Sequence, residues 1–247
     1  MAVRTRQRRA QSIEAILVEQ LQGLGDEVGR LPSEMDMADR FGVSRVTLRE
    51  ALSNLERKGL ILRKQGSGTF INEPVLEIRT RLDESIEYAH LIRAAGFQPA
   101  VHIINTTIQP ATRSQCASLD IATGTPVITF YKRFAADGRP IVFCINTIPF
   151  SLLSEEAWDR VRDDIDPAQS LYEVLECCFH QKVAYQIADV EAAGAVPETA
   201  VHLKCEHQEP LLCIKEIGYN QEQIPVFLGE GYFKPGKMHF QVLRRPV

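Results

Sequence analysis

Several features that would direct this chain toward other functions are missing from it. Its six cysteines, at 116, 144, 177, 178, 205 and 213, form no C-x-x-C pair, so the spacing of a zinc ribbon or a thioredoxin-like redox centre is absent. Adjacent Cys177 and Cys178 suit a disulfide framework poorly, and reduced thiols are expected. No apolar run approaches the roughly 20 residues that cross a bilayer. The opening MAVRTRQRRAQ has no signal-peptide core. A cytoplasmic protein with no membrane partner is the expectation. There is no glycine-rich phosphate loop and no G-x-S-x-G nucleophile turn. Glu155-Glu156 and Asp163-Asp164 read better as a solvated helix face and its end than as acid/base pairs. His202-x-x-Cys205-x-His207 is compact but lacks the paired short spacings of structural zinc. No metal, no cofactor and no catalytic residue is expected.

A positive charge balance is also missing. The 247 residues carry 28 Lys and Arg against 32 Asp and Glu, a net of -4. The charge is divided unevenly. Residues 1–72 hold 12 basic and 9 acidic side chains, and the remainder holds 16 and 23. A mildly basic head on an acidic body suits nucleic acid bound at one end only. At 45% hydrophobic and 24% charged, the composition is that of an ordinary globular protein, long enough for two domains.

The most informative stretch is LPSEMDMADRFGVSRVTLREALSNLERKGLILRKQGSGTFI, residues 31–71. Ser33 is placed to cap a first helix, with Asp36 as a shorter-armed capping-box partner. Met37, Ala38 and Phe41 give that helix an apolar face, and Gly42 ends it. Ser44 caps a second helix whose expected buried stripe is Val46, Leu48, Ala51, Leu52 and Leu55. Gly59 stops it. A strand from Leu60, a turn at Gln65-Gly66-Ser67-Gly68 and a returning strand to Ile71 complete a winged helix-turn-helix. In such a unit the start of the second helix faces base edges in the major groove. Here that start holds Ser44, Arg45, Val46, Thr47 and Arg49. Arginine makes paired hydrogen bonds to guanine, and threonine reaches phosphate or a thymine methyl. Upstream, Arg4, Arg6, Arg8 and Arg9 form a basic arm that either follows the DNA backbone or is a free tail. Ser12 to Leu21 reads as the first helix of the head, with Ile13, Ile16, Leu17 and Leu21 on one face.

These residues carry a resemblance. LPSE, FGVSRVTLREAL, L-x-x-KGLI and QGSGTFI together resemble the DNA-binding domain of GntR-family bacterial transcription regulators. The resemblance implies that Ser33, Arg45, Thr47, Arg49, Gly66 and Ser67 lie against double-stranded operator DNA, with the wing tip in the minor groove. Many members carry a basic residue directly after LPSE, and this chain has Met35.

Asn72-Glu73-Pro74 marks the end of the head. The expected division is residues 1–72 as the winged domain, 73–82 as a linker and 83–247 as a second domain. In the latter, helices are expected near Glu84–Ala95, Ala111–Leu119, Ser154–Arg162, Ser170–Phe179 and Pro197–Leu203. Strands are expected at Val101–Ile108, Pro126–Ala135, Arg139–Ile148, Tyr185–Ala192, Leu211–Tyr219 and Pro225–Phe233, with an edge at Phe240–Leu243. Asp137-Gly138 is a two-residue hairpin turn. The pattern is α+β with a mostly antiparallel sheet.

The strand-turn-strand around AADGRPI, the SLYEVL helix start and the closing PVFLGEGYFKPGKMHF resemble the UTRA ligand-binding domain of the HutC-type branch, a chorismate-lyase-like fold. That resemblance implies a homodimer whose grip on DNA is altered by a small effector. It also places the effector pocket at Lys132, Phe134, Cys144, Ser170, Phe227 and Phe233. In relatives that bind phosphorylated amino sugars the positions of Phe134, Cys144, Phe227 and Phe233 hold polar residues. A phosphosugar needs its polar groups paired, since each unmet one costs about 1–3 kcal/mol. The aromatic and thiol side chains here instead suit an apolar or aromatic body, with Lys132 for one carboxylate and the Ser170 helix start assisting. A small organic acid is the expected effector. Other readings are that the phenylalanines only fill a core, that a one-residue slip makes Tyr131 and Arg133 the lining residues, that the body is an enzyme, or that it only dimerises.

Overall fold

The computed structural model describes residues 13–21, 23–78, 80–84, 87–153, 161, 165–236 and 238–244. The basic arm, the carboxylate pairs at 155–156 and 163–164, and most of the helix expected at 154–162 lie outside these residues. The chain forms two compact units, Met1–Arg81 with Gln241–Val247, and Leu82–Phe240.

The first unit is built on three helices, α1 (described at 13–21), α2 (Glu34–Phe41) and α3 (Arg45–Arg57). Leu17, Leu21, Met37, Leu48, Leu52, Leu55 and Ile61 bury together as its core. Each fully buried leucine of this kind is worth roughly 1.5–3 kcal/mol. Ser33 accepts from the Asp36 amide at 3.2 Å and Ser44 from the Thr47 amide at 3.1 Å, so both helices start on capped turns. Glu14 of α1 accepts from Asn54 and pairs with Lys58, each at 2.8 Å. Two residues depart from the expected apolar faces. Ile16 is 38% exposed and Val46 is 54% exposed. Val46 stands two residues before Leu48, about 200° around the helix, so it faces away from the stripe of Leu48, Ala51, Leu52 and Leu55.

The wing is β1 (Ile61–Lys64) paired antiparallel with β2 (Gly68–Ile71), Ile61 opposite Ile71. Residues 29–31 run along β2, with Leu31 N–H donating to the Thr69 carbonyl and Ile71 N–H to the Gly29 carbonyl. Where a linker is expected, a one-turn helix α4 (Glu73–Leu76) buries Val75. Pro74 is compatible with it because the first helical turn has no internal acceptor for its missing N–H. Gln241 bridges to Arg81 rather than extending the sheet of the body.

The second unit holds a six-stranded antiparallel sheet in the order β3-β4-β5-β8-β7-β6. The strands are β3 (Pro99–Pro110), β4 (Pro126–Ala136), β5 (Arg139–Pro149), β6 (Tyr185–Gly194), β7 (Pro210–Tyr219) and β8 (Pro225–Phe233). Asp137 and Gly138 both have positive φ, +48° and +75°, the backbone of the expected tight hairpin turn. Among the described residues four α-helices accompany the sheet: α5 (Tyr88–Ala94), α6 (Arg113–Leu119), α7 (Leu171–Phe179) and α8 (Pro197–Leu203). Thr112 and Ser170 each form a full capping box, with Gln115 and Glu173.

One face of the sheet carries two apolar clusters. In the first, Ala89, Leu91 and Ile92 of α5 pack with Phe134, Val142, Phe233 and Met238. In the second, Val174, Leu175, Cys178 and Phe179 of α7 pack with Ile128, Phe130, Ile148 and Phe227. The opposite face is covered by α8 over Phe143 and Leu211 and by α6 over Val127.

Candidate nucleic-acid interface and ligand face

The exposed end of the first unit brings together the start of α3, the start of α2 and the wing. Arg45, Val46 and Arg49 are solvent-facing. Arg49 is held by Glu34, whose Oε2 accepts from Nε at 3.0 Å and from Nη2 at 2.7 Å. Arg63 of the wing approaches the other Glu34 oxygen at 3.8 Å and Glu56 at 3.6 Å. One carboxylate thus links recognition helix, α2 and wing. The Arg49 hydrogen bond holds the Glu34 carboxyl below the ordinary glutamate range. The sign follows directly. A depressed folded pKa adds stability above the unfolded value and loses it as pH falls through the folded one. The Glu34–Arg49 contribution is therefore expected to be complete at neutral pH and to fade below about pH 4.3, which acid titration of Glu34→Gln against the parent protein checks.

Thr47 is 7% exposed, and its hydroxyl lies 2.8 Å from Ser44 Oγ. Ser33 Oγ donates to Asp36 Oδ2 at 2.7 Å. Both hydroxyls are thus engaged in the caps that shape the helix starts. Gly66 and Ser67 form the wing tip. Gly66 has φ +75° and Gly68 φ +119°, conformations that side-chain-bearing residues rarely adopt. A Cβ at Gly68 would stand 3.0 Å from Arg30 Nε. Arg30, Ser33, Arg63, Lys64 and Ser67 line an open hollow of about 900 Å3, rich in the donors that phosphate attracts. Arg30 was not legible as a site residue because it reaches the wing through the strand-like run of 29–31, which carries no sequence signal.

In the second unit, Lys132, Phe134, Cys144, Phe227 and Phe233 occupy one face of the sheet. Lys132 stands opposite Cys144, and Cys144 opposite Gly231. Phe134 and Phe233 each meet Tyr88 edge-on, at 5.5 and 5.1 Å between ring centroids. Phe227 belongs to the second cluster and lies over Gly218. Lys132 is 6% exposed. Its ammonium donates to the Gln169 carbonyl at 2.8 Å, next to Ser170, whose hydroxyl is committed to the α7 cap. No other partner of Lys132 exists among the described residues. Burial lowers the Lys132 pKa, with Cys144 and surrounding carboxylates opposing the shift. Burial pushes the Cys144 thiol up to about 12, so it is a neutral thiol at physiological pH, receiving a hydrogen bond from Asn146. Tyr131 and Arg133 point to the opposite face, where Tyr131 stacks on Phe143. His202 also stacks on Phe143, at 4.5 Å. Among the described residues no group of three or more His, Cys, Asp or Glu is placed to hold a metal ion.

Comparison with known proteins matches residues 10–71 to "Bacterial regulatory proteins, gntR family" and residues 94–239 to "UTRA domain". The chain belongs to the GntR family. More narrowly, it is a HutC-type member, a winged head followed by a UTRA domain. It is 30% identical over 213 residues to the histidine utilization repressor of Pseudomonas putida, covering 85% of this chain and 80% of that protein. It is 28% identical over 191 residues to the transcriptional repressor NagR of Bacillus subtilis, covering 77% and 75%. The crystal structure of the "possible transcriptional regulator YydK" from Bacillus subtilis shares the fold at a TM-score of 0.72 and 20% identity, over 97% of this chain and 99% of that one. The protein is therefore a DNA-binding transcriptional regulator of the GntR/UTRA type.

Within this GntR regulator, Met35 is 57% exposed beside Glu34, so the family's missing basic residue leaves an apolar side chain at that edge. Sequence reading also missed Tyr88, Asn146 and Glu216 on the sheet face of Lys132, and Glu34 in the head. Glu34→Gln is expected to free Arg49 and to raise affinity for unrelated DNA several-fold while narrowing the margin over operator. Fluorescence anisotropy with both DNAs at one salt concentration checks it.

Proposed function

We propose that this regulator is a repressor that binds a pseudo-palindromic operator as a homodimer and is controlled by a small organic acid with an apolar or aromatic body. In this reading Ser33, Arg45, Thr47, Arg49, Gly66 and Ser67 form the DNA surface. Arg45 and Arg49 read or hold the duplex directly, and Ser33 and Thr47 shape the helix starts. Lys132 receives the effector carboxylate, helped by the N-terminal end of α7 at Ser170. Phe134, Phe233 and Phe227 flank the apolar body, and Cys144 is a neutral neighbour. No cofactor takes part. The repressor role is supported by the names of the Pseudomonas putida and Bacillus subtilis relatives.

The observation that carries the effector class is Lys132: an ammonium 6% exposed with one acceptor for three donor protons, set between aromatic clusters. A buried cation short of partners favours an incoming anion. The test is a thermal-shift screen of the full chain against aromatic and aliphatic carboxylic acids and sugar phosphates, followed by anisotropy with DNA from upstream of its own gene. An acid that raises Tm and changes DNA affinity supports the reading. A response to sugar phosphates alone overturns it. Light scattering of the free protein reads the dimer, and a monomeric mass overturns that element.

A further inference from the structure

On this face of the sheet the centre of β8 holds glycines, and the Phe227 and Phe233 rings lean over them, 3.3 Å and 3.0 Å from where a Cβ would stand. Gly229 and Gly231 alternate there, between Phe227 and Phe233. A Cβ at Gly231 would stand 2.7 Å from the Tyr88 hydroxyl oxygen, and one at Gly229 would stand 3.5 Å from Asn146 Oδ1 and 3.6 Å from Glu216 Cβ. The register continues across the sheet: Lys132 faces Cys144, Cys144 faces Gly231, and Gly229 faces Glu216. Glu216 therefore shares the face with Lys132, on the far side of the glycine strip.

Glu216 is half-buried, and among the described residues it has neither a cation nor a hydrogen-bond donor. Its neighbour in sequence, Lys215, points to the other face and pairs with Glu191. Other acids of this unit are provided for: Glu230 accepts from the Tyr232 hydroxyl at 2.8 Å and Glu209 pairs with Lys234. Glu216 is different because only desolvation acts on it, raising its pKa. The Tyr88 hydroxyl above Gly231 likewise lacks a hydrogen-bond partner among the described residues. A carboxylate removed from water without a partner is an unfavourable arrangement, and a cation delivered by a ligand would relieve it.

Resting on the organic-acid reading, we infer that the effector is amphoteric, with a carboxylate at Lys132 and, beyond its apolar body, a protonated amine or similar N–H cation received by Glu216. Three strand spacings of about 4.8 Å separate β4 from β7. Two inward-reaching side chains with one aromatic ring between them match that width. A dicarboxylate would set a second anion against Glu216. A neutral-ended acid would leave Glu216 unpartnered.

Calorimetric titration of the full chain with 4-(aminomethyl)benzoate, 4-methylbenzoate and terephthalate separates these ligands, which share a carboxylate and a ring. The wild type is expected to bind the aminomethyl acid at least tenfold tighter than the methyl acid, and terephthalate most weakly. Glu216→Gln is expected to lose that preference and to bind the methyl acid at least as tightly as the parent does, with an apo Tm equal to or above the parent's. Lys132→Met is expected to lose both acids. The amphoteric inference is overturned if the wild type binds the methyl acid or terephthalate as tightly as the aminomethyl acid, or if Glu216→Gln keeps the preference. Binding that survives in Lys132→Met overturns the organic-acid reading itself, and binding of none of the three overturns both.

Discussion

The Arg45→Ala, Arg49→Ala double variant is expected to bind its operator at least about thirtyfold more weakly, since a bidentate arginine–guanine contact is worth roughly 1–3 kcal/mol. Both side chains are exposed and contribute nothing to the core formed by Leu48, Leu52 and Leu55, so the helix and its fold should survive. Removing Arg49 also leaves Glu34 with only the longer Arg63 contact, which adds a like-charge penalty near phosphate. Anisotropy titrations with operator and scrambled DNA over a range of salt read two effects separately. If the arginines contact bases, operator affinity falls much more than scrambled affinity. If they contact phosphates, the two fall together and the salt slope shrinks by about 0.9 per lost contact. Unchanged operator affinity would remove these residues from the interface.

The second large effect is expected from Lys132→Met. Truncating one member of a desolvated charge pair costs about 2–5 kcal/mol, so effector affinity should fall by about thirtyfold or more, and DNA binding should no longer respond to effector. The apo protein should behave in the opposite way. Lys132 has a folded pKa below its ordinary value. Between the two values the unfolded chain binds more protons than the folded one at this group, so the Lys132 contribution to apo stability rises with pH across that window. It should climb as pH approaches the ordinary lysine range of about 10.4, and Lys132→Met should lack that climb. Denaturant unfolding at pH 7 and at pH 10 measures both. A variant that keeps the effector response, or a stability difference between parent and Lys132→Met that does not rise from pH 7 to pH 10, would count against a buried, under-partnered ammonium.

The DNA head was legible almost residue by residue because its signals are local. A Ser cap lies three residues from the amide it binds, a glycine ends each helix, and the apolar period of 3.6 picks out Leu48, Leu52 and Leu55. Local signals also set the Asp137-Gly138 hairpin and the capping boxes at Thr112 and Ser170. The one-turn helix at Glu73–Leu76 was missed because four residues carry no period. Val46 was placed in the buried stripe for its apolar side chain, although the 3.6-residue period sets it opposite Leu48 and Leu55. For the ligand face, the alternation along β4 correctly grouped Lys132 with Phe134. It carried no information about which strands would lie beside β4.

What the sequence determined alone is the winged head, the α+β class, the hairpins and the residue types available to each face. Those depend on spacings of two, three or four residues, where steric and hydrogen-bonding rules act over one turn or one pleat. What the tertiary structure decided is which of those residues meet. Glu34 reaches Arg49 across 15 positions and Arg63 across a wing. Tyr88 comes to stand over Gly231, and Glu216 reaches the Lys132 face only because β8 lies between β5 and β7. Strand order in an antiparallel sheet follows from how two apolar faces bury against their helices, a balance summed over the whole chain that no short window of residues contains.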